Sequence, residues 1–116
     1  VNKIKRGEED LILRLRPTKD IAAELGKIKR DNQILAGFAL ETHSGPEHAM
    51  AKLKKKNLDL VVLNMSNEEG SGFGHDTNRI TIIDRNNNID KFELKSKDEA
   101  ARDILYKIVK MTGARL

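Results

Sequence analysis

The chain has 116 residues, 34% of them charged, with 22 Lys and Arg against 18 Asp and Glu and no cysteine. That length holds one domain or a piece of one, and a mixed-sign net charge of +4 favours anionic ligands over a protein that coats DNA. Without cysteine there are no disulfides, thiolate nucleophiles or sulfur-ligated metals, which fits a cytoplasmic protein, and no apolar run approaches the roughly 18 residues of a membrane span.

Val1 to Arg6 alternates in polarity and reads as a strand. The chain is therefore expected to begin inside a fold, with an amino-terminal portion of the domain ahead of it. Gly7 to Asp10 reads as a turn. Leu11, Leu13 and Leu15 alternate with Ile12, Arg14 and Arg16 and predict a second strand, which Pro17 stops. Thr18 is placed to cap a helix whose buried stripe is Ile21, Ala22, Leu25 and Ile28.

Ile34 to Ala39 is almost wholly apolar, the pattern of an interior parallel strand covered on both faces. Ser44, three residues before Glu47 and with Pro46 between them, signals a helix start. Ala49, Met50 and Leu53 are expected to pack inward, and Leu58 to Leu63 reads as a second buried strand. Strand, helix and strand in this order predict a parallel crossover unit.

Asn64 to Asn78 reads as a long polar loop. Ile80 to Ile83 and then Phe92 and Leu94 predict an antiparallel hairpin turned by Asn86-Asn87-Asn88. Ser96-Lys97-Asp98-Glu99 is a capping box opening a helix with Ala101, Ile104, Leu105, Ile108 and Met111 inward, and Gly113 ends it. The fold expected is α/β: a three-layer, Rossmann-like, mostly parallel sheet with helices on both faces and a carboxyl-terminal antiparallel hairpin, forming an incomplete domain.

Several residues suit a nucleotide. Lys52 and Lys56 are four apart and stack on one helical stripe, where like charges repel unless an anion lies between them. A solvated lysine-rich face is the plainer reading of that spacing alone. Phe38 sits at the carboxyl end of a predicted interior strand, where open parallel sheets bind ligands, and its ring could stack on a base or simply fill the core. Gly37 beside it could let a ligand approach the backbone. Lys19, Asp20, Ile21 and Ala22 open a helix whose free N–H groups could meet phosphate oxygens, although an ordinary cap is the simpler account. Lys3, Lys5 and Arg6 make a basic strand end. Glu41 could orient a lysine or reach magnesium through water, or equally serve as a structural acceptor for backbone N–H groups. The glycines at 70, 72 and 74 match neither phosphate-loop pattern. His43, His48 and His75 lack metal-ligand spacing and are expected to have surface roles.

Gly37-Phe38-Ala39-Leu40-Glu41-Thr42, Lys52, Lys56, Asn57 to Val62, Gly72-Phe73-Gly74, Asp76 and Asn78 together resemble bacterial phosphopantothenoylcysteine synthetase. That enzyme is usually the carboxyl-terminal half of the bifunctional coenzyme A biosynthesis flavoprotein of the Dfp family. The resemblance spans residues 1–116. It implies a ligase that joins 4′-phosphopantothenate to cysteine through an acyl-cytidylate, with CTP as substrate and Mg2+ assisting. ATP stays open as the nucleotide. Residue by residue, it implies a functional lysine at Lys3 and nucleotide contacts at Lys19, Asp20, Ile21, Ala22, Phe38, Lys52 and Lys56. Many family members carry proline at the Lys19 position. The resemblance further implies a homodimer, a missing amino-terminal part, and FMN only in a fused decarboxylase domain that this chain lacks. A piece of this kind is expected to be inactive alone. The alternative from the residues is a basic nucleic-acid-binding module, disfavoured by its few aromatic side chains.

Overall fold

The computed structural model describes residues 2–6, 9–65 and 76–113. Strands β1 (Asn2–Arg6) and β2 (Glu9–Leu13) form an antiparallel hairpin in register Lys3 to Ile12. It is a sheet of its own, and residues 10–20 are exposed throughout. The expected turn thus shortens, because Glu9 and Asp10 already pair with Arg6 and Lys5.

Helix α1 (Ile21–Ile28) is capped by Asp20, whose carboxylate accepts from Ala23 N–H at 3.1 Å, and not by Thr18. The expected buried stripe is also corrected. Ile21, Leu25 and Ile28 are exposed, and the one buried residue of α1 is Gly26. Gly26 lies against the Lys56 carbonyl, where a methyl group would find no room. Apolar spacing marked a sticky face here without saying what covers it.

The central sheet has four strands in the order β3 (Ala36–Glu41), β4 (Leu60–Met65), β6 (Ile80–Asp84), β7 (Ile89–Lys91). β3 and β4 are parallel, while β6 and β7 join antiparallel, so the sheet is mixed. β3 is not interior among the described residues, because it pairs with β4 alone. β7 ends before Phe92 and Leu94, so the hairpin is shorter than expected. Asn87 turns it with φ 66°, a conformation that Asn tolerates well.

Helix α2 (Gly45–Lys55) joins β3 to β4 and covers one face of the sheet. Ala49 and Leu53 pack there with Ala39, Leu58, Val61, Leu63 and Ile83. Gly37 is closed off by Leu58, so strand-on-core packing accounts for it in place of ligand access. Ser44 precedes α2 in the left-handed region at φ 49° and makes no side-chain cap, so no capping box forms there.

Short strands β5 (Thr77–Asn78) and β8 (Lys95–Ser96) pair before helix α3 (Lys97–Met111). Here the capping box is complete, with Ser96 and Glu99 each accepting the other's backbone N–H. α3 covers the second face, where Ala100, Ile104, Ile108 and Met111 pack on Leu60, Val62, Ile80 and Ile82. Ala101 and Leu105, expected inward, are exposed. Gly113, at φ 76°, follows the helix end. The three layers are thus α2, sheet and α3, an α/β fold. The glycines at 70, 72 and 74 and His75 lie outside the described residues.

Candidate functional site

β3 and β4 run in the same direction and end together, with Glu41 beside Met65. In open parallel sheets, the crevice outside such ends is where ligands settle. Strand alternation sends Gly37, Ala39 and Glu41 toward α2, and Ala36, Phe38 and Leu40 toward α3.

On the α2 side, His48, Lys52 and Lys56 follow one another at intervals of four and so share a stripe. Two carboxylates from other elements meet this stripe. Glu41, from the end of β3, accepts from Lys52 Nζ at 2.8 Å and contacts His48 Nδ1 at 3.3 Å. Asp20, the cap of α1, contacts Lys56 Nζ at 3.2 Å. The repulsion that two lysines at this spacing would otherwise feel is therefore offset in the folded chain. The Lys52 hydrogen bond holds the Glu41 carboxyl below its ordinary range, against a smaller upward pull from burial. The Ala23 N–H, followed by Lys56, does the same for Asp20.

Lys52 and Lys56 thus meet two other predicted features, the end of β3 and the start of α1. Asp20 occupies one of the free N–H groups of α1 itself, which takes one donor away from any incoming phosphate. Lys19 and Ile21 are exposed and Ala22 is half-buried at this helix start.

Phe38 lies elsewhere. It is 74% exposed and lines a cleft of about 280 Å³ with Leu40, Val62, Asn64, Asn78 and Lys97. This cleft is on the α3 face, so the ring and the lysine stripe occupy opposite sides of β3. They share only the mouth at its carboxyl end. Lys3 stands on the separate β1–β2 hairpin.

Sequence reasoning left open which lysine Glu41 holds, and it missed the Asn64, Asn78 and Lys97 lining of the cleft. Four-residue spacing from Lys52 to His48 was the available signal for the first. Nothing local marks the second, because strand and helix register together decide it. Among the described residues no group of three or more His, Cys, Asp or Glu is placed to hold a metal ion. No helix there is long and apolar enough to cross a membrane.

Comparison with known proteins places the chain. Residues 1–111 match the model of the DFP family, described as the DNA/pantothenate metabolism flavoprotein C-terminal domain. A protein named cysteine/cysteine sulfinic acid decarboxylase, from an unknown prokaryotic organism, is 63% identical over 107 residues, which cover 92% of this chain and 30% of that protein. The coenzyme A biosynthesis bifunctional protein CoaBC of Bacillus subtilis (strain 168) is 40% identical over 117 residues, covering 98% of this chain and 29% of the relative. The crystal structure of the C-terminal domain of a CoaBC protein superposes with a TM-score of 0.71 at 34% identity, over 84% of this chain and 44% of that one. The chain therefore spans under a third of the curated relatives' length. With the matched region running from its first residue to the end of α3, the chain belongs to the DNA/pantothenate metabolism flavoprotein C-terminal domain family.

Proposed function

We propose that this chain is the carboxyl-terminal part of a phosphopantothenate–cysteine ligase of coenzyme A biosynthesis. The observation that carries the reading is the His48-Lys52-Lys56 stripe, tied to the carboxyl end of β3 through Glu41 and to the start of α1 through Asp20, in a chain similar to the C-terminal domain of CoaBC. The relative named as a decarboxylase shares only 30% of its length with this chain, so its name describes a protein that is mostly outside the match.

In this reading a carboxylate oxygen of 4′-phosphopantothenate attacks the α-phosphorus of CTP and pyrophosphate leaves. The cysteine amine then attacks the acyl carbon, loses a proton, and CMP leaves. Lys52 and Lys56 hold the triphosphate, and their fixed charge stabilises the negative charge that passes to the leaving pyrophosphate. Phe38 offers a flat surface to the base from the other side of the strand. Lys19, Asp20, Ile21 and Ala22 meet the nucleotide at the start of α1, and Lys3 serves conversion of the acyl intermediate. CTP is preferred to ATP by the resemblance alone. Mg2+ arrives with the triphosphate in the family's chemistry. The described residues offer it no dedicated cage, and Glu41 and Asp20 are engaged by lysines, so the steps above use the chain's own cations.

The reading also gives this chain partners. An amino-terminal segment is proposed to continue the sheet along the outer edge of β3, and an FMN-bearing decarboxylase domain is proposed to be fused to it. The exposed Leu11, Ile12, Leu13 and Leu15 on and beside the β1–β2 hairpin support a homodimer that covers them. The setting is the cytoplasm. A nucleic-acid module is not favoured, because Lys29, Lys52, Lys56, Lys95, Lys107 and Arg85 all sit on carboxylates and do not form an open cationic track.

The test is calorimetric CTP binding by the complete protein with Lys52→Gln, Lys56→Gln and both. Each lost charge-assisted contact is expected to weaken binding about tenfold or more. Binding at wild-type strength in the double variant overturns the site. The 116 residues alone are expected to release no pyrophosphate from CTP, phosphopantothenate and cysteine.

A further inference from the structure

We propose that Glu41 is a positioning residue: it fixes the Lys52 ammonium at the carboxyl end of β3, and His48 braces Glu41 from the next turn of α2. The inference rests on the nucleotide reading of Lys52 and deepens it.

The geometry is specific. Glu41 is the last residue of β3, so its backbone is held by the parallel ladder opposite Met65. Its side chain is only 15% exposed, whereas that of Lys52 is 41% exposed. One end of the pair is therefore anchored and the other is half in solvent. The two oxygens of Glu41 have separate side-chain partners, Lys52 on Oε1 and His48 on Oε2. A carboxylate held at both oxygens cannot turn freely about its terminal bond. Because His48 and Lys52 are one helical turn apart, both grip it from the same stripe.

A lysine side chain has several rotatable bonds, and ordering it on binding costs free energy. An ammonium already held at the strand end has lost much of that freedom before the ligand arrives. It also has three donors, and Glu41 uses one of them. The others can turn to a phosphate oxygen without Lys52 leaving its place. Glu41 need not touch the nucleotide at all.

The experiment measures KM for CTP, kcat and thermal midpoint in the complete protein. The variants are Glu41→Ala, Glu41→Gln and His48→Ala, with Glu41→Ala repeated in a Lys52→Ala background. Glu41→Ala is expected to raise KM about tenfold, the size of one charge-assisted contact, with the larger part of the loss in KM and not in kcat. Glu41→Gln keeps an acceptor oxygen at the same reach and is expected to restore most of that loss. His48→Ala is expected to raise KM by a smaller factor. In the Lys52→Ala background Glu41→Ala is expected to change nothing further, because a residue acting through Lys52 has nothing left to act on.

The same rise in both backgrounds, an unchanged KM, or tighter binding in Glu41→Ala overturns the inference. A fall in midpoint with KM unaltered would reduce Glu41 to a purely structural role. If Lys52→Ala alone leaves CTP binding intact, the nucleotide reading fails and this inference goes with it. If Lys52→Ala abolishes binding and Glu41→Ala does not disturb it, only the inference falls.

Discussion

Asp59 and Glu41 each gather two basic side chains, at opposite ends of the same parallel strand pair. Asp59 precedes β4 at its amino end. It accepts from Lys29 at 2.9 Å, Arg85 at 3.1 Å and the Leu35 backbone N–H at 2.8 Å. Its own N–H donates to the Leu35 carbonyl, so it ties α1, β3, β4 and the end of β6 into one node. It is 8% exposed. Glu41, at the carboxyl end of β3, meets two half-exposed side chains from α2. The difference is one of exchange. Asp59 cannot give up the Leu35 N–H or the buried Lys29 ammonium without opening the fold, although its third partner, Arg85, is half in solvent. A carboxylate held by half-exposed side chains can share them with an incoming anion. The first arrangement builds the sheet and the second suits a binding site.

The largest expected effect breaks the buried node. Asp59→Ala leaves the Lys29 ammonium, itself largely buried, without its counter-charge. Losing one partner of a buried pair costs about 3 kcal/mol or more, read as a lowered denaturant midpoint. Burial alone would raise the Asp59 pKa, but the Lys29 hydrogen bond and the Leu35 N–H outweigh it and hold the carboxyl below its ordinary value. A depressed carboxyl contributes in full above the unfolded value of about 3.9 and is lost as pH falls through the lower folded value. Acid unfolding of the wild type is therefore expected below about pH 4. Asp84 acts in the same direction, since its burial is outweighed by Asn88 and Lys107. Asp59→Asn should flatten part of that acid limb, and an unchanged limb would remove Asp59 from the account.

Next in size is Gly26→Ala. The added methyl group would strike the Lys56 carbonyl, which is backbone and cannot swing aside. α1 must shift, at about 1–3 kcal/mol for overpacking. Since Asp20 caps α1 and holds Lys56, the same shift should weaken CTP binding in the complete protein. Stability lost without any change in binding would show that the start of α1 is not part of the site.

The two regions were not equally legible in the sequence. The lysine stripe was, because four-residue spacing within one helix is a local fact. So was most of β4, which begins two residues later than expected and runs on through Asn64 and Met65, while Thr77 and Asn78 at the far end of the expected loop form β5. So was the capping box of α3, whose Ser96 and Glu99 form the expected pair. Ser44 and Glu47 have the same spacing and form no box, because the backbone at Ser44 is left-handed. The Asp59 node joins residues up to 30 positions apart, and no periodicity reports such a distance. The side taken by Phe38 depends on which face of β3 the helix α2 covers, and alternation alone leaves that sign open. The exposure of Ile21, Leu25 and Ile28 was illegible for a related reason. An apolar stripe predicts burial, but burial needs a neighbour, and among the described residues α1 meets Lys56 and Asn57 through Asp20 and Gly26 while Ile21, Leu25 and Ile28 stay exposed.

The smallest expected effect sharpens the contrast most. Glu41→Gln should leave the unfolding midpoint of the complete protein unmoved, while Asp59→Asn lowers it. The amide keeps an oxygen for Lys52, and Lys52, half in solvent, can recover hydration if the contact weakens. Lys29 has no such recourse, since its side chain is only 11% exposed. Both substitutions remove one negative charge and replace an oxygen by an NH2 group, so composition and net charge change equally and only position differs. Equal shifts in midpoint would mean that the strand mouth contributes as much to the fold as the node at its foot, and the sharing of Lys52 between Glu41 and an incoming phosphate would lose its physical basis.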